Sequence, residues 1–495
     1  MTSFSALLTA SLFLLSAQTS MASQQQAQPM NRNDTSRQDT LPKKMPGMDQ
    51  KGDPMNHMDH QHMNHHHMNM SMPMDSTMNM DMDMSMDMSK DSSMRMSMNS
   101  AYSLHLPMTR NGSGTSWLPD AATMNGYMVH AGEWMFMFHG DIFPRYNSQD
   151  IFKKGSRGAS KWDAPDMLMA MGQRKIGEKG LFHVNLMLST DALVAGGSGY
   201  PLLFQTGESW HGVPLVDRQH PHDLFSELSV SYAYAVSKKV DVFAYVGYPG
   251  EPALGPVTFM HRPSGMFDPD APIGHHWEDA THITFGVATL GVRVGQFKLE
   301  GSSFTGREPD ENRYNFDKPR FDSWSSRLSF NPSENWALQV SHGYVKSPEA
   351  LRPDENVNRT TASATYVYPF TGHTYLAATA LWGQNKSAGQ DPSNAALLEA
   401  TLKWNRLATY IRYEWVQKSV EELDLDPAVY GFSNPLFPLQ ALTLGAAYDL
   451  FHFGHLNVAG GGQLSAYRPA SPLTGLYGSY PLAGEIYLHL YPGRM

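Results

Sequence analysis

The chain has 495 residues, 41% of them hydrophobic and 17% charged, with no cysteine and a formal net charge of −10. That composition excludes disulfides, thiolate metal sites and a lipid anchor on an N-terminal cysteine, and a mildly acidic chain without a basic block argues against nucleic acid as a partner. Mean hydropathy is −0.40, and beyond the first 25 residues no run approaches the roughly 20 apolar residues of a membrane helix, so a helical membrane protein is excluded as well.

Residues 1–22 carry the pattern of a secretory signal peptide. An apolar stretch over 6–15 is followed by small residues, with Ser20 and Ala22 at the −3 and −1 positions of a cut after Ala22. The predicted context is export.

Residues 23–116 read as a disordered segment rich in Met, His and Asp, because a stretch so poor in aromatic and branched residues cannot bury enough apolar surface to offset the entropy of ordering. Eighteen of the thirty-three methionines and six histidines lie between 45 and 98. They alternate with Asp, Asn and Ser, so there is no apolar face to bury them. Thioether sulfur selects copper(I) or silver(I), and imidazole suits both copper oxidation states. The mixed part supplies Met55, His57, Met58, His60, His62, Met63, His65, His66, His67 and Met68 as ligands for Cu(II) or Cu(I). The following part supplies Met70, Met72, Met74, Met78, Met80, Met82, Met84, Met86 and Met88, better suited to Cu(I) or Ag(I). Interleaved aspartates add negative potential that concentrates cations. Several weak sites are expected there.

From Trp117 the chain changes character, with frequent Trp, Tyr, Phe and Gly and short alternating segments. Period-two segments run over 127–139, 166–175, 181–189, 224–235, 240–248, 282–294 and 297–305. Nine more follow, over 324–330, 336–345, 360–368, 374–382, 395–404, 408–416, 439–450, 456–464 and 485–491. Each has the length and alternation of a transmembrane strand, and short turns alternate with long links at 249–281, 306–322 and 417–438. Trp324, Trp336, Trp382, Trp404 and Trp415 sit near segment ends, where an aromatic girdle lies. Small residues on one face, as in 361–368 and 374–383, suit a wide lumen filled by water. The predicted fold is all-β: an antiparallel outer-membrane barrel of about sixteen strands over 117–495.

A second group of ligands lies within the barrel. His220 and His222 are two residues apart and share a side if extended. His261, His275, His276, Glu278 and His282 follow in one Pro/Gly-rich link. On a strand, His275 and His276 would face opposite ways, so at most one would serve a given site. Three readings compete: a lumen metal site or relay, a hydrogen-bonded plug with structural histidines, and a hydrolytic metal centre. No HExxH, GxSxG or phosphate-binding glycine loop supports the last. His130, His139, His183, His342 and His489 alternate within strands and receive no role.

An export signal, the run around His57-Met58-Asp59-His60 and a C-terminal barrel together resemble the copper-resistance outer-membrane proteins of the CopB and PcoB type. The resemblance covers the plan of the whole chain, and its matching text is confined to 45–98. It implies a cleaved leader, a metal-binding segment on the periplasmic side and a barrel in outer-membrane lipid, conferring tolerance by sequestering or exporting copper without catalysis. It further implies exchange with periplasmic copper-handling proteins. Two alternatives remain: a solute porin or channel with an incidental Met-rich tail, and an exported metal-dependent hydrolase using 217–282.

Overall fold

The computed structural model describes residues 99–371 and 373–494. The signal peptide and the methionine-rich run at 45–98, with every ligand named there, lie outside the described residues.

Alternation of large apolar with small or polar residues makes these segments strands, and pairing in sequence order makes them a barrel. A bent first stave is formed by β2 (Trp134–Ile142) and β3 (Arg145–Ser148), interrupted at Pro144, which has no N–H to give the ladder. Its neighbour is formed by β4 (Ser160–Asp163) and β5 (Asp166–Ile176), interrupted at Pro165. Then come β6 (Gly180–Leu188), β9 (Phe225–Ser237), β10 (Val240–Gly247), β11 (Val287–Val294), β12 (Phe297–Phe304) and β13 (Ser323–Ser333). The circuit continues through β14 (Trp336–Lys346), β15 (Asn356–Thr371), β16 (Thr374–Ser387), β17 (Ser393–Trp404) and β18 (Leu407–Ser419). It ends with β19 (Leu436–Phe453), β20 (Leu456–Arg468) and β21 (Leu482–Pro492). All pairings are antiparallel, and β21 returns to β2 and β3 through Ile142↔Leu490 and Ile486↔Tyr146. The strand β1 (Tyr127–Ala131) prolongs the line of β21 along β2, joined to it by the Asn125↔Arg494 bridge. Counted this way the barrel is closed by 16 staves, as the alternation predicts.

The two ends differ. At one, consecutive strands are joined by turns of two or three residues, such as Gly295-Gln296 between β11 and β12. At the other, long connections leave the barrel or turn back into it. Outward positions are apolar and exposed: Val340, Leu398, Leu444 and Ile486 are each more than half exposed. Phe297, Trp336, Tyr368, Phe370, Trp404, Tyr448 and Phe453 ring the turn end. An apolar band with an aromatic girdle around a polar interior is the arrangement of a transmembrane barrel.

The interior departs from the water-filled lumen expected. Residues 99–122, the connection 248–286 and part of the connection 189–224 fold inside and bury Arg145, Arg327, Lys298 and Glu300 on the inner wall. Arg145 binds Asp163 (2.6 Å), Asp270 (2.7 Å) and Glu485 (2.9 Å). Arg262 binds Asp279 (3.1 Å) and Glu399 (2.7 Å), tying the 248–286 connection to β17. The part of the N-terminal segment from 99 to 116, which composition assigns to the unstructured region, is ordered by Tyr102, Met108 and the Arg110–Asp120 pair inside this wall.

Three other expectations change. The segment 127–139 is a hairpin rather than one strand, because Gly132 (φ 59°) turns the chain between β1 and β2. The segment 282–294 becomes a strand only at Val287; before it the 3-10 turn Ala280–His282 passes at Ile283 into an extended link that bends at Gly286 (φ 107°). The hairpin of β7 (Tyr200–Trp210) and β8 (Val213–Gln219), unforeseen, is a separate two-stranded sheet on the connection between β6 and β9.

Candidate metal centre

Two inward connections meet near the loop end of the lumen. One brings His220 and His222, just past β8, with Pro221 between them; the other brings the single helical turn His275–Glu278 and His282. All five imidazoles are buried. Ring centroids lie 5.5 Å apart for His220 and His276, 5.2 Å for His275 and His276, 5.1 Å for His275 and His282, and 5.3 Å for His222 and His282. Ligand atoms of His220, His275 and His276 all lie within 4.8 Å of one another. Nitrogens on one ion at about 2.0–2.1 Å sit about 3.3 Å apart, so closure needs ring movements of the order of an ångström.

The adjacent His275 and His276 both join the group, against the expectation that only one could. The reason is local: a helical turn separates neighbouring side chains by about 100°, not the 180° of a strand.

Each Nδ1 is held from outside. His222 donates to Asp191 Oδ2 (2.7 Å), His275 to Asp279 Oδ1 (2.5 Å) and His282 to the Asp279 carbonyl (2.9 Å). His220 Nδ1 faces Glu208 Oε1 (3.1 Å) and the Pro221 carbonyl (3.3 Å), and His276 Nδ1 faces Glu308 Oε1 (3.5 Å). Carboxylates and carbonyls only accept, so the proton sits on Nδ1 and the Nε2 lone pair points inward. All five Nε2 atoms are buried without a partner. Leaving a buried acceptor bare costs about 1–3 kcal/mol, and here five are bare, those of His220, His275 and His276 belonging to rings close enough to share an ion. Carboxylate behind imidazole behind an open lone pair is how proteins orient metal-binding histidines.

Burial pulls all five away from the charged form. At His220 it prevails, helped by the Arg313 charge and the neighbouring imidazoles, and the pKa lies well below the ordinary value. It also prevails at His275 and His282. At His222 the hydrogen bond and charge of Asp191 outweigh burial, and at His276 the charge of Glu308 does so; both are raised. Three of the rings are thereby kept neutral, the form that binds metal.

The backbone makes room for this. Gly207 (φ 114°) lies against the His276 ring, where an added Cβ would stand 2.3 Å from Cε1 and Nε2. The next residue, Glu208, is itself left-handed (φ 58°), a conformation costing of the order of 1 kcal/mol in a non-glycine residue. Arg313 clamps Glu208 and, at 3.2 Å, Asp223.

Two residues expected in this group are elsewhere. His261 lies beyond Phe259, with its ring 6.1 Å from His139. Glu278, on the far side of its helical turn, is buried among Asp279, Arg262, Glu414 and Glu399. Conversely, Asp191, Glu208, Glu308 and Asp279 had no sequence signal beyond being carboxylates, since they come from three separate connections.

No protein-family model matches the chain, and no curated protein matches it. Solved structures similar to it include Salmonella typhi OmpF in complex with daunomycin (TM-score 0.46, 9% identity, covering 74% of this chain and 100% of that one). An anion-selective porin from Comamonas acidovorans (TM-score 0.43, 11% identity, 73% and 99%) and Pseudomonas aeruginosa OpdQ (0.36, 7%, 73% and 98%) are two others.

Proposed function

We propose that this chain is a non-catalytic outer-membrane barrel that binds copper inside its lumen and contributes to copper tolerance by sequestering or exporting the ion. The observation that carries this reading is a cluster of five buried imidazoles with unpartnered Nε2 atoms and Nδ1 atoms anchored from behind, three of which bring ligand atoms within 4.8 Å of one another. Imidazole sets of this kind suit copper, which heads the divalent affinity order, and the run at 45–98 supplies thioethers that favour the monovalent ion. The apolar band supports a place in outer-membrane lipid. Short turns mark the periplasmic end of such barrels. The Asn99 carbonyl accepts a hydrogen bond from Gln173 Nε2 (3.2 Å), three residues before the end of β5 at its turn, which supports a periplasmic methionine run facing periplasmic copper carriers.

The test is Cu(II) binding by the purified full-length protein, read by electron paramagnetic resonance. In a background where His57, His60, His62, His65, His66 and His67 are replaced by Asn, the expected result is a nitrogen-coordinated signal that disappears on adding His220→Ala/His275→Ala, in a protein which still forms the folded barrel. An unchanged signal in that variant would sink the proposal.

One observation favours a second reading, a solute channel. A cavity of about 480 Å³ opens at the turn end beside Lys403, Asp449, His455 and Tyr491. Steady ionic conductance through bilayers holding the metal-free protein would favour the channel.

A further inference from the structure

All eleven methionines among the described residues lie in one sector of the barrel. On β2 the inward side chains are Met135, Met137, His139 and Asp141, and on β5 they are Met167, Met169 and Met171. Met187 follows on β6. The register stacks them across strands: Met137 opposite Met171, His139 opposite Met169, Met169 opposite Met187, and Asp141 opposite Met167. Opposed residues have Cβ atoms about 4.5–5.5 Å apart, within reach of two thioethers on one ion. From the inward segments come Met108, Met124 and Met260, packed on the same wall, with Met128 on β1 and Met266 beside them. A cavity of about 90 Å³ lies among Met137, Met169, Met171, Met260, His139 and His261.

Packing alone does not account for this distribution. Outward faces of the barrel use Leu, Val, Ile and aromatics, and the rest of the inner wall mixes Ser, Thr, Arg and Glu with Ala, Val, Leu, Phe and Tyr. Methionine appears in neither. The wall extends from Met135, next to the β1–β2 turn, to Asp141, midway along the stave of β2 and β3, about 20 Å at the rise of a strand. Its lower end adjoins Gln173, which holds Asn99, the residue that follows the methionine run. Its upper end adjoins Met260, next in the chain to Phe259, whose ring is 5.4 Å from that of His275 and 6.2 Å from that of His222.

We propose that this methionine wall is a second, separate binding site for a soft monovalent cation of the Cu(I) or Ag(I) class, held by facing thioethers together with His139 and His261. Thioether sulfur prefers such ions over zinc or calcium, and a sheet wall presents the ligands without the cost of ordering a free chain. The inference rests on the reading that the lumen handles metal, but it names different ligands and a different oxidation state from the five-histidine centre.

The experiment uses full-length protein in detergent with ¹³C-labelled methionine methyls, titrated with Ag(I). The barrel resonances are assigned by the single changes Met137→Leu, Met169→Leu, Met171→Leu and Met260→Leu. We expect those four methyls to shift on titration. The quadruple leucine variant, which nearly conserves volume, should bind at least one Ag(I) fewer while keeping its barrel circular dichroism. Barrel methyls that stay fixed while those of 45–98 move would overturn the proposal, whatever Cu(II) does at the histidines. Shifts of the barrel methyls in a protein that gives no Cu(II) signal would leave the wall standing and remove the histidine centre.

Discussion

Asp279 serves two histidines at once, through its carboxylate to His275 and through its backbone carbonyl to His282, and its second oxygen takes Arg262. Asp279→Asn keeps the shape but offers an amide where Nδ1 needs an anion. Copper affinity should fall about 10- to 100-fold, the range for losing a partner behind a metal ligand, as measured by competition with a chelator. Gly207→Ala should act on the other side of the centre. Its methyl would collide with the His276 ring in a backbone conformation that also disfavours alanine, so copper binding should weaken while His220 and His275 remain. Acid should remove the ligands in order. His222 and His276, with raised pKa values, take protons first as pH falls, and His220, His275 and His282, with lowered values, keep their lone pairs further down. A pH titration of the Cu(II) spectrum should therefore show a change of coordination before loss of the ion.

At the scale of elements, the long connection over 248–286 does two jobs: it fills the lumen and it carries three of the five imidazoles. Replacing it with a short Gly/Ser turn should convert a barrel with little conductance into an open pore, since large barrels left unfilled hold an aqueous channel. A planar bilayer recording reads this directly, and unchanged conductance would show that the connection does not block the lumen. The regular staves from β11 to β21 were legible in sequence because alternation is a local property of each segment. The hairpin at Gly132 was not, because alternation continues unbroken through its two-residue turn. Nor were β3 and β4, four residues each, set apart by Pro144 and Pro165. Histidines 220, 222, 275, 276 and 282 were legible as candidates by residue type alone, but their convergence depends on how two connections fold inward. The methionine wall left a signal that was there to be read: Met135 and Met137, then Met167, Met169 and Met171, each two residues apart on strands.

For the whole molecule, stability rests on an inverted pattern, apolar outside and charged within. Val340→Arg or Leu398→Arg, each in mid-strand on the outer face, should cost about 2–4 kcal/mol of stability in lipid, measured by urea unfolding from vesicles. Exposed positions of a water-soluble protein would tolerate the same change. Replacing every methionine between 45 and 98 by serine should remove most bound Cu(I) yet leave the Cu(II) signal of the five histidines intact, because all five imidazoles come from the connections over 189–224 and 248–286. Loss of both together would make the two regions one site.

Asp141, on the metal-facing side of β2, is gripped by His489 of β21 (2.6 Å) across 348 positions of sequence. The strand that begins the wall is thus braced by the strand that closes the barrel. A chain cut short before β21 could form most of its hairpins, but it would leave β2 with a bare edge and Asp141 without its grip. Closure of the barrel and the fixing of Asp141 beside the methionines are then a single event, so an open barrel leaves the acidic end of the wall unset.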